Sequence, residues 1–132
     1  MPIEFLMLAA ATLLALFAFV PASMARARTY GRRWVVSNRE TEGLPPLPAW
    51  GARAERAHTN LVVNYPAFAA AVLLLAVTGD FDLGTAIASA VFVAARIVHM
   101  VAYIGGAFWP RTISWALGLA ATIYILVIAV FI

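Results

Sequence analysis

Cationic and amide side chains recur at helical spacing where a long apolar run begins. Arg53, Arg56 and Asn60 stand at positions i, i+3 and i+7, which form one stripe of a helix. The apolar run 67–77 follows shortly afterwards, so the stripe lies at the mouth of a predicted membrane helix. Hydrocarbon disfavours such groups unless they have partners or a wet cavity. The stripe therefore predicts a polar cavity in which the arginines meet an anionic ligand or a carboxylate. The alternatives are that the arginines only anchor the helix at the interface and that Asn60 makes a structural hydrogen bond between helices.

A second polar stripe contains Arg96, His99 and Tyr103, again at i, i+3 and i+7. Arg96 lies well beyond Leu83, roughly 20 Å along a helix, and therefore near the middle of a predicted span. An arginine at that depth suggests function, and we expect it to line a cavity between helices. If its role is structural, it needs a carboxylate, and Glu55 is the nearest candidate. Taken singly, His99 is typical of a satisfied core histidine and Tyr103 of an interfacial aromatic.

A third group, formed by Arg111, Thr112 and Trp115, opens the last apolar segment. A cation in the first turn of a helix opposes the helix dipole, so a bound anion would favour it there. Free backbone N–H groups, the Thr112 hydroxyl and the Arg111 guanidinium can together bind a carboxylate. The simpler alternative is that Arg111 anchors the helix at the cytoplasmic side.

Composition indicates which elements position these side chains. The chain has 132 residues, of which 64% are hydrophobic and 11% charged, whereas a soluble domain carries roughly a quarter charged residues. We therefore predict an all-α integral membrane protein, a four-helix bundle formed by a single domain, 1–132, with spans at about 3–25, 51–78, 83–108 and 111–132. There is no cysteine, which excludes disulfides and a cysteine nucleophile, and no metal site is predicted.

Charge and turn residues predict the topology. The 26–50 loop is rich in arginine and is expected to be cytoplasmic, with both termini outside. Pro21 is a possible kink in the first span, and Asp82 is a possible helix N-cap. Trp109–Pro110 is predicted to end the third helix, and Pro110 suits the first turn of the fourth. In this topology the three polar groups meet near the inner leaflet, where a small, multiply anionic ligand with an apolar companion would fit.

Three motifs in order on the predicted helices resemble those of the MAPEG family, the membrane-associated proteins in eicosanoid and glutathione metabolism. The second-helix signature is Arg-x-x-Arg-Ala-x-x-Asn-x-x-Glu, followed by a proline and a phenylalanine. The third helix carries Arg, His, Tyr and Gly, and the fourth begins Arg-Ser/Thr-x-x-aromatic. The matching residues are Arg53, Arg56, Ala57, Asn60, Pro66 and Phe68, then Arg96, His99, Tyr103 and Gly105, and finally Arg111, Thr112 and Trp115.

This resemblance implies a bacterial-type, inner-membrane protein assembled as a homotrimer. It also implies a membrane-bound, glutathione-dependent transferase or peroxidase that acts on lipophilic electrophiles. Glutathione would be the cosubstrate, bound between protomers near the cytoplasmic side. Arg111 or Thr112 would stabilise its thiolate as the catalytic group. The other contacts implied are Arg53, Arg56, Asn60, Arg96, His99, Tyr103 and Trp115.

The sequence departs from the family pattern at two positions. The signature glutamate is Val63, and Trp115 stands where several of the enzymes have tyrosine. These changes favour an alternative, a non-enzymatic or differently liganded member that binds a lipid or another small anion. A small drug exporter is disfavoured, because that class needs a membrane-embedded carboxylate and Glu4 is the only acid in the first span, at its very end.

Overall fold

The computed structural model describes all 132 residues and contains helices but no strands. This confirms the all-α prediction. Four helical segments are long and apolar enough to cross a membrane, namely Ile3–Tyr30, Ala49–Thr78, Leu83–Gly105 and Phe108–Phe131. The helices in chain order are α1 (Ile3–Phe17), α2 (Val20–Tyr30), α3 (Arg32–Val35), α4 (Ala49–Thr78), α5 (Leu83–Gly105) and α6 (Phe108–Phe131).

The first span is longer than predicted and consists of two helices. α1 ends at Phe17 and α2 begins at Val20, because Pro21 has no N–H to donate to the Phe17 carbonyl one turn earlier. The helix then continues to Tyr30 instead of ending at about residue 25. Gly31, with a φ of 86°, ends it in a conformation that favours glycine.

The turn between the second and third spans forms as predicted, whereas the next break lies elsewhere. Asp82 caps α5, because its Oδ1 accepts from the Thr85 N–H at 2.7 Å and its own N–H donates to Thr85 Oγ1 at 3.0 Å. α5 ends at Gly105 because Gly106 takes a left-handed φ of 80°. The third helix was predicted to reach about Phe108 and to break at Trp109–Pro110, which is too late along the chain. Pro110 lies in the first turn of α6, as predicted.

The apolar core holds α4, α5 and α6 together. The rings of Phe68 and Phe92 stack at 3.8 Å between α4 and α5. Val72, Leu75 and Ile125 are fully buried around them. Consecutive membrane-length helices run in opposite directions, so the start of α4, the end of α5 and the start of α6 lie at one end of the bundle. This is the arrangement that the topology predicted for the polar residues.

At the opposite end of the bundle, a buried carboxylate links α1 to α5. Glu4 on α1 is only 2% exposed and accepts a hydrogen bond from the Thr85 hydroxyl of α5. The sequence placed Glu4 at the outer end of the first span but gave no sign of this contact. Since Thr85 also belongs to the cap of α5, one hydroxyl links α1 to the start of α5.

Candidate functional site

The most deeply buried cation in the chain is Arg96, in the middle of α5. Its side chain is 2% exposed, and its Nη1 donates to Asn60 Oδ1 of α4 at 2.9 Å. Its Nε is buried without a hydrogen-bond partner. The predicted alternative partner, Glu55, pairs instead with Arg26 of α2 at 2.7 Å. Arg96 is therefore a buried cation with a spare donor and no paired carboxylate, which is a costly arrangement for a structural residue.

Small and aromatic neighbours make room for the Arg96 guanidinium. A Cβ at Gly118 of α6 would lie 3.1 Å from both Nε and Nη2 of Arg96, so only glycine leaves the group its present space. On its own helix, Arg96 Cζ lies 5.6 Å from the ring centroid of Phe92. A guanidinium against a ring is stabilised by the cation–π interaction, which partly offsets the cost of burial.

Two further arginines meet at Tyr103, two turns beyond Arg96 on α5. Arg111 Cζ of α6 lies 4.9 Å from the Tyr103 ring centroid, and Arg56 Cζ of α4 lies 6.0 Å from it. The His99 ring packs edge-on against Tyr103 at 5.5 Å. One tyrosine therefore brings together cations from two helices that are distant in sequence, as the topology predicted.

Two adjoining cavities open beside Tyr103, and both are lined by Asn60 and Tyr103. The larger has a volume of ≈ 480 Å³ and the smaller ≈ 240 Å³. The larger is otherwise lined by Glu55, Arg56, Thr59 and Val63, and the smaller by His99, Arg111, Thr112 and Trp115. We call the two together the arginine cavity.

Most of the residues predicted from the three motifs line the arginine cavity. Arg96 does not line the cavity, but it donates a hydrogen bond to Asn60, which does. Arg53 does not reach it, because its Nε donates to the Ile104 carbonyl at 2.8 Å and its guanidinium lies against Gly106. Arg53 thus satisfies a free carbonyl at the C-terminal end of α5, a favourable place for a cation. The predicted residues that line the cavity are Arg56, Asn60, His99, Tyr103, Arg111, Thr112 and Trp115.

The structure distinguishes the two residues predicted as thiolate stabilisers. The Thr112 hydroxyl donates to the Phe108 carbonyl at 3.1 Å, so its proton is already engaged with the helix backbone. The Arg111 guanidinium is flanked by the rings of Tyr103 and Phe108, at 4.9 and 5.0 Å, and makes no hydrogen bond within the chain. Arg111 therefore keeps its donors available for an anion, whereas Thr112 offers mainly lone pairs.

Three residues of α4 at or near the cavity, Glu55, Thr59 and Asn64, were not among the predicted site residues, although Glu55 was predicted as a possible partner of Arg96. Glu55 and Thr59 line the larger cavity together with Val63, and the spacing of four residues between them was a signal that could have revealed this face. Asn64 donates from Nδ2 to the Asn60 carbonyl at 2.7 Å. The same Nδ2 lies 3.4 Å from Asn60 Oδ1, so Asn64 also borders the amide that holds Arg96.

A separate groove of ≈ 440 Å³ between α5 and α6 is almost wholly apolar. Its one polar side chain, Ser114, donates its hydroxyl to the Pro110 carbonyl at 2.6 Å. Apart from the Trp109 indole N–H, the groove therefore offers no free charge or donor to a polar ligand. The arginine cavity, with its cations, amide and phenol, is the site where a small anionic molecule fits.

Comparison with known proteins gives a match over almost the whole chain. The family model described as MAPEG family matches residues 4–131. No curated protein and no solved structure gives a significant match.

Proposed function

Because the chain belongs to the MAPEG family, we propose that it is a membrane-bound, glutathione-dependent transferase or peroxidase acting on lipophilic electrophiles. The observation that supports this proposal best is the convergence of Arg56 and Arg111 on Tyr103 beside a cavity of ≈ 480 Å³. Glutathione carries two carboxylates and a thiol that ionises, so it presents as many as three anionic groups. A site with several arginines and few acids matches that pattern of charge.

The buried positive charge of Arg96 also favours an anionic ligand in the cavity. No carboxylate pairs with this charge, and its Nε has no hydrogen-bond partner within the chain. Asn60 stands between Arg96 and the cavity. The positive charge of Arg96 is therefore felt in the cavity even though the guanidinium does not line it, because screening is weak in a protein interior.

Bound glutathione would supply a sulfur nucleophile or reductant. In this proposal Arg56 binds a carboxylate, Asn60 offers its amide to the peptide, and Arg111 holds the thiolate by charge and hydrogen bonding. His99 and Tyr103 form the wall that orients the ligand. The lipophilic substrate would reach the site from the membrane, which concentrates apolar molecules around the four membrane-length helices.

We further propose that the protein is a homotrimer and that the arginine cavity lies at a boundary between protomers. In the single chain the cavity is open on one side, and Arg56, Thr112 and Trp115 are exposed. A neighbouring copy could close it and exclude water. In the same proposal the 26–50 loop is cytoplasmic and both termini are outside, in a bacterial inner membrane. Mass measurement of the detergent-solubilised protein tests the trimer.

The proposed activity is tested by conjugation of glutathione to chlorodinitrobenzene and by reduction of a lipid hydroperoxide, with the protein in liposomes. We expect turnover by the wild type and a drop in kcat of at least about tenfold in Arg111→Gln, roughly 1.4 kcal/mol of transition-state stabilisation. Arg32→Gln is the matched control, because Arg32 is exposed on α3 and far in sequence from the cavity residues. Absence of both reactions in the wild type would contradict the proposal.

A second proposed function is the binding of a lipid or another small anion without catalysis. The observation that favours it is Val63, which is 71% exposed and presents methyl groups to the larger cavity. Trp115 adds to it, because an indole can donate a hydrogen bond but cannot act as a phenol. Under this proposal the folded protein binds anions but does not turn over, and Val63→Glu increases its affinity for glutathione.

A further inference from the structure

Three arginines where the first span ends have no partner within the chain. Arg28 lies in the last turn of α2, and Arg32 and Arg33 begin α3 directly beyond Gly31. Their side chains are exposed and make no hydrogen bond, ion pair or ring contact. Every other arginine of the chain contacts a carboxylate, a carbonyl, an amide or an aromatic ring. We call Arg28, Arg32 and Arg33 the basic patch.

Aromatic residues of the same segment hold the basic patch in place. The rings of Tyr30 and Trp34, one on each side of Gly31, pack 4.6 Å apart. The Tyr30 hydroxyl donates to the Pro45 carbonyl at 2.9 Å, and Trp34 Nε1 donates to the Glu40 carbonyl at 2.8 Å. α3 is therefore fixed against the end of α2, so the backbone that carries the basic patch loses little entropy when the patch binds a partner.

The basic patch lies where the chain leaves the membrane. The segment Ile3–Tyr30 is long and apolar enough to span, and the patch begins in its last turn. Tyrosine and tryptophan are enriched at the level of the lipid headgroups, so Tyr30 and Trp34 are typical of residues at that depth. An arginine cluster directly beyond a span attracts anionic lipids. The turn at the opposite end of the bundle carries Asp80 and Asp82 but no arginine, so this attraction acts on one side of the membrane.

We propose that the basic patch binds the headgroup phosphate of an anionic phospholipid of the bilayer in which the protein lies. A guanidinium matches the geometry of a phosphate and can donate two hydrogen bonds to it. RNA also carries phosphates, but its binding commonly adds bases stacked on aromatic rings, and here the rings of Tyr30 and Trp34 pack against each other. The proposal does not rest on glutathione, because no residue of the basic patch lines the arginine cavity.

The test measures which lipids the full-length protein selects in liposomes of phosphatidylcholine. Small amounts of spin-labelled phosphatidylglycerol or of spin-labelled phosphatidylcholine are added, and electron paramagnetic resonance gives the fraction of each label that is immobilised at the protein. The ratio of the two association constants is the lipid preference. The measurement is repeated with inorganic phosphate in the buffer and, separately, with a short single-stranded RNA.

The variants separate the basic patch from positive charge in general. Arg28→Gln/Arg32→Gln/Arg33→Gln removes the patch, and Arg33→Gln alone removes one of its members. Arg39→Gln is the matched control, because Arg39 is exposed in the same segment but its Nε already donates to the Val35 carbonyl at 3.0 Å. Since the patch side chains have no partner within the chain, neither patch variant should alter the fold.

We expect the wild type to prefer phosphatidylglycerol to phosphatidylcholine at least about fivefold, because each arginine near the membrane surface strengthens the attraction to anionic lipid. The triple variant should show no preference, Arg33→Gln should lower the preference at least about twofold, and Arg39→Gln should match the wild type. Inorganic phosphate and RNA should leave the wild-type preference unchanged. No preference in the wild type, equal losses in Arg33→Gln and Arg39→Gln, or displacement of the lipid by phosphate or RNA would overturn the proposal.

Discussion

Arg96 Nη1 and Asn60 Oδ1 are 2.9 Å apart, and their hydrogen bond joins the middle of α5 to α4 directly behind the arginine cavity. The bond satisfies one donor of a cation that is 2% exposed and has no paired carboxylate. Asn60 is therefore both the partner of the buried charge and part of the cavity wall. Asn60 thus has a structural role and a proposed ligand-binding role, and different substitutions at this position should affect the two roles differently.

Two substitutions of Asn60 should separate these effects. Asn60→Ala leaves Arg96 Nη1 without its acceptor and should destabilise the protein by about 1–3 kcal/mol. Asn60→Asp supplies a carboxylate to Arg96 and should keep or raise the melting temperature, but it should weaken glutathione binding because it neutralises positive charge at the cavity. Thermal melting in detergent and calorimetric titration measure the two effects. Unchanged binding in Asn60→Asp would show that the charge of Arg96 does not act on the ligand.

Gly118→Ala should displace the Arg96 guanidinium. The added Cβ would lie 3.1 Å from Nε and Nη2, which is closer than a well-packed contact, so we expect a loss of about 1–3 kcal/mol from overpacking. Gly105→Ala is the matched control, because its Cβ would meet no atom within 4 Å and alanine favours a helix. Melting temperatures of the two variants test this, and equal values would count against the tight packing of Arg96.

Thr85→Val should destabilise the end of the bundle opposite the cavity. The substitution removes the donor to the buried Glu4 carboxylate and one half of the α5 capping box. An unsatisfied buried group costs about 1–3 kcal/mol. Thr41→Val, in the exposed loop before α4, is the control and should have little effect on the melting temperature. Glutathione affinity should be unchanged in both variants, because neither residue lines the arginine cavity.

The helical architecture could be predicted because apolar runs of membrane length, turn residues and caps are local signals. Asp82 was predicted as a cap from its place before an apolar run, and the structure confirms it. The end of α5 was misplaced because Trp109–Pro110 looked like the stronger break, whereas the left-handed φ of Gly106 ends the helix earlier. A proline in the first turn of a helix removes no hydrogen bond of the helix backbone, so Pro110 is compatible with the start of α6.

The candidate site was only partly predictable, because helical spacing gives faces but not the partners across helices. The stripe of Arg96, His99 and Tyr103 was visible in the sequence, yet the bond from Arg96 to Asn60 depends on how α4 and α5 pack. Likewise, the pairing of Glu55 with Arg26 follows from the close approach of α2 and α4. Periodicity along one helix carries no information about that approach.

Arg53 shows the same limit and provides a further prediction. It shares a helical stripe with Arg56, but it donates to the Ile104 carbonyl at the end of α5. Arg53→Ala should therefore cost about 1 kcal/mol of stability and leave glutathione affinity unchanged within error. Thermal melting and titration of this single variant test both parts. A clear loss of glutathione affinity without a loss of stability would show that Arg53 contacts the ligand, as the sequence had suggested.

The most direct test of the central claim is calorimetric titration of the detergent-purified protein with glutathione, carried out in parallel on Arg56→Ala and Arg33→Ala. Both variants remove one exposed arginine, but only Arg56 lines the arginine cavity. We predict saturable binding to the wild type and to Arg33→Ala, and binding weakened at least about tenfold in Arg56→Ala, as expected when a charged hydrogen bond is lost. Equal binding by the two variants, or none by the wild type, would contradict the assignment of glutathione to this cavity.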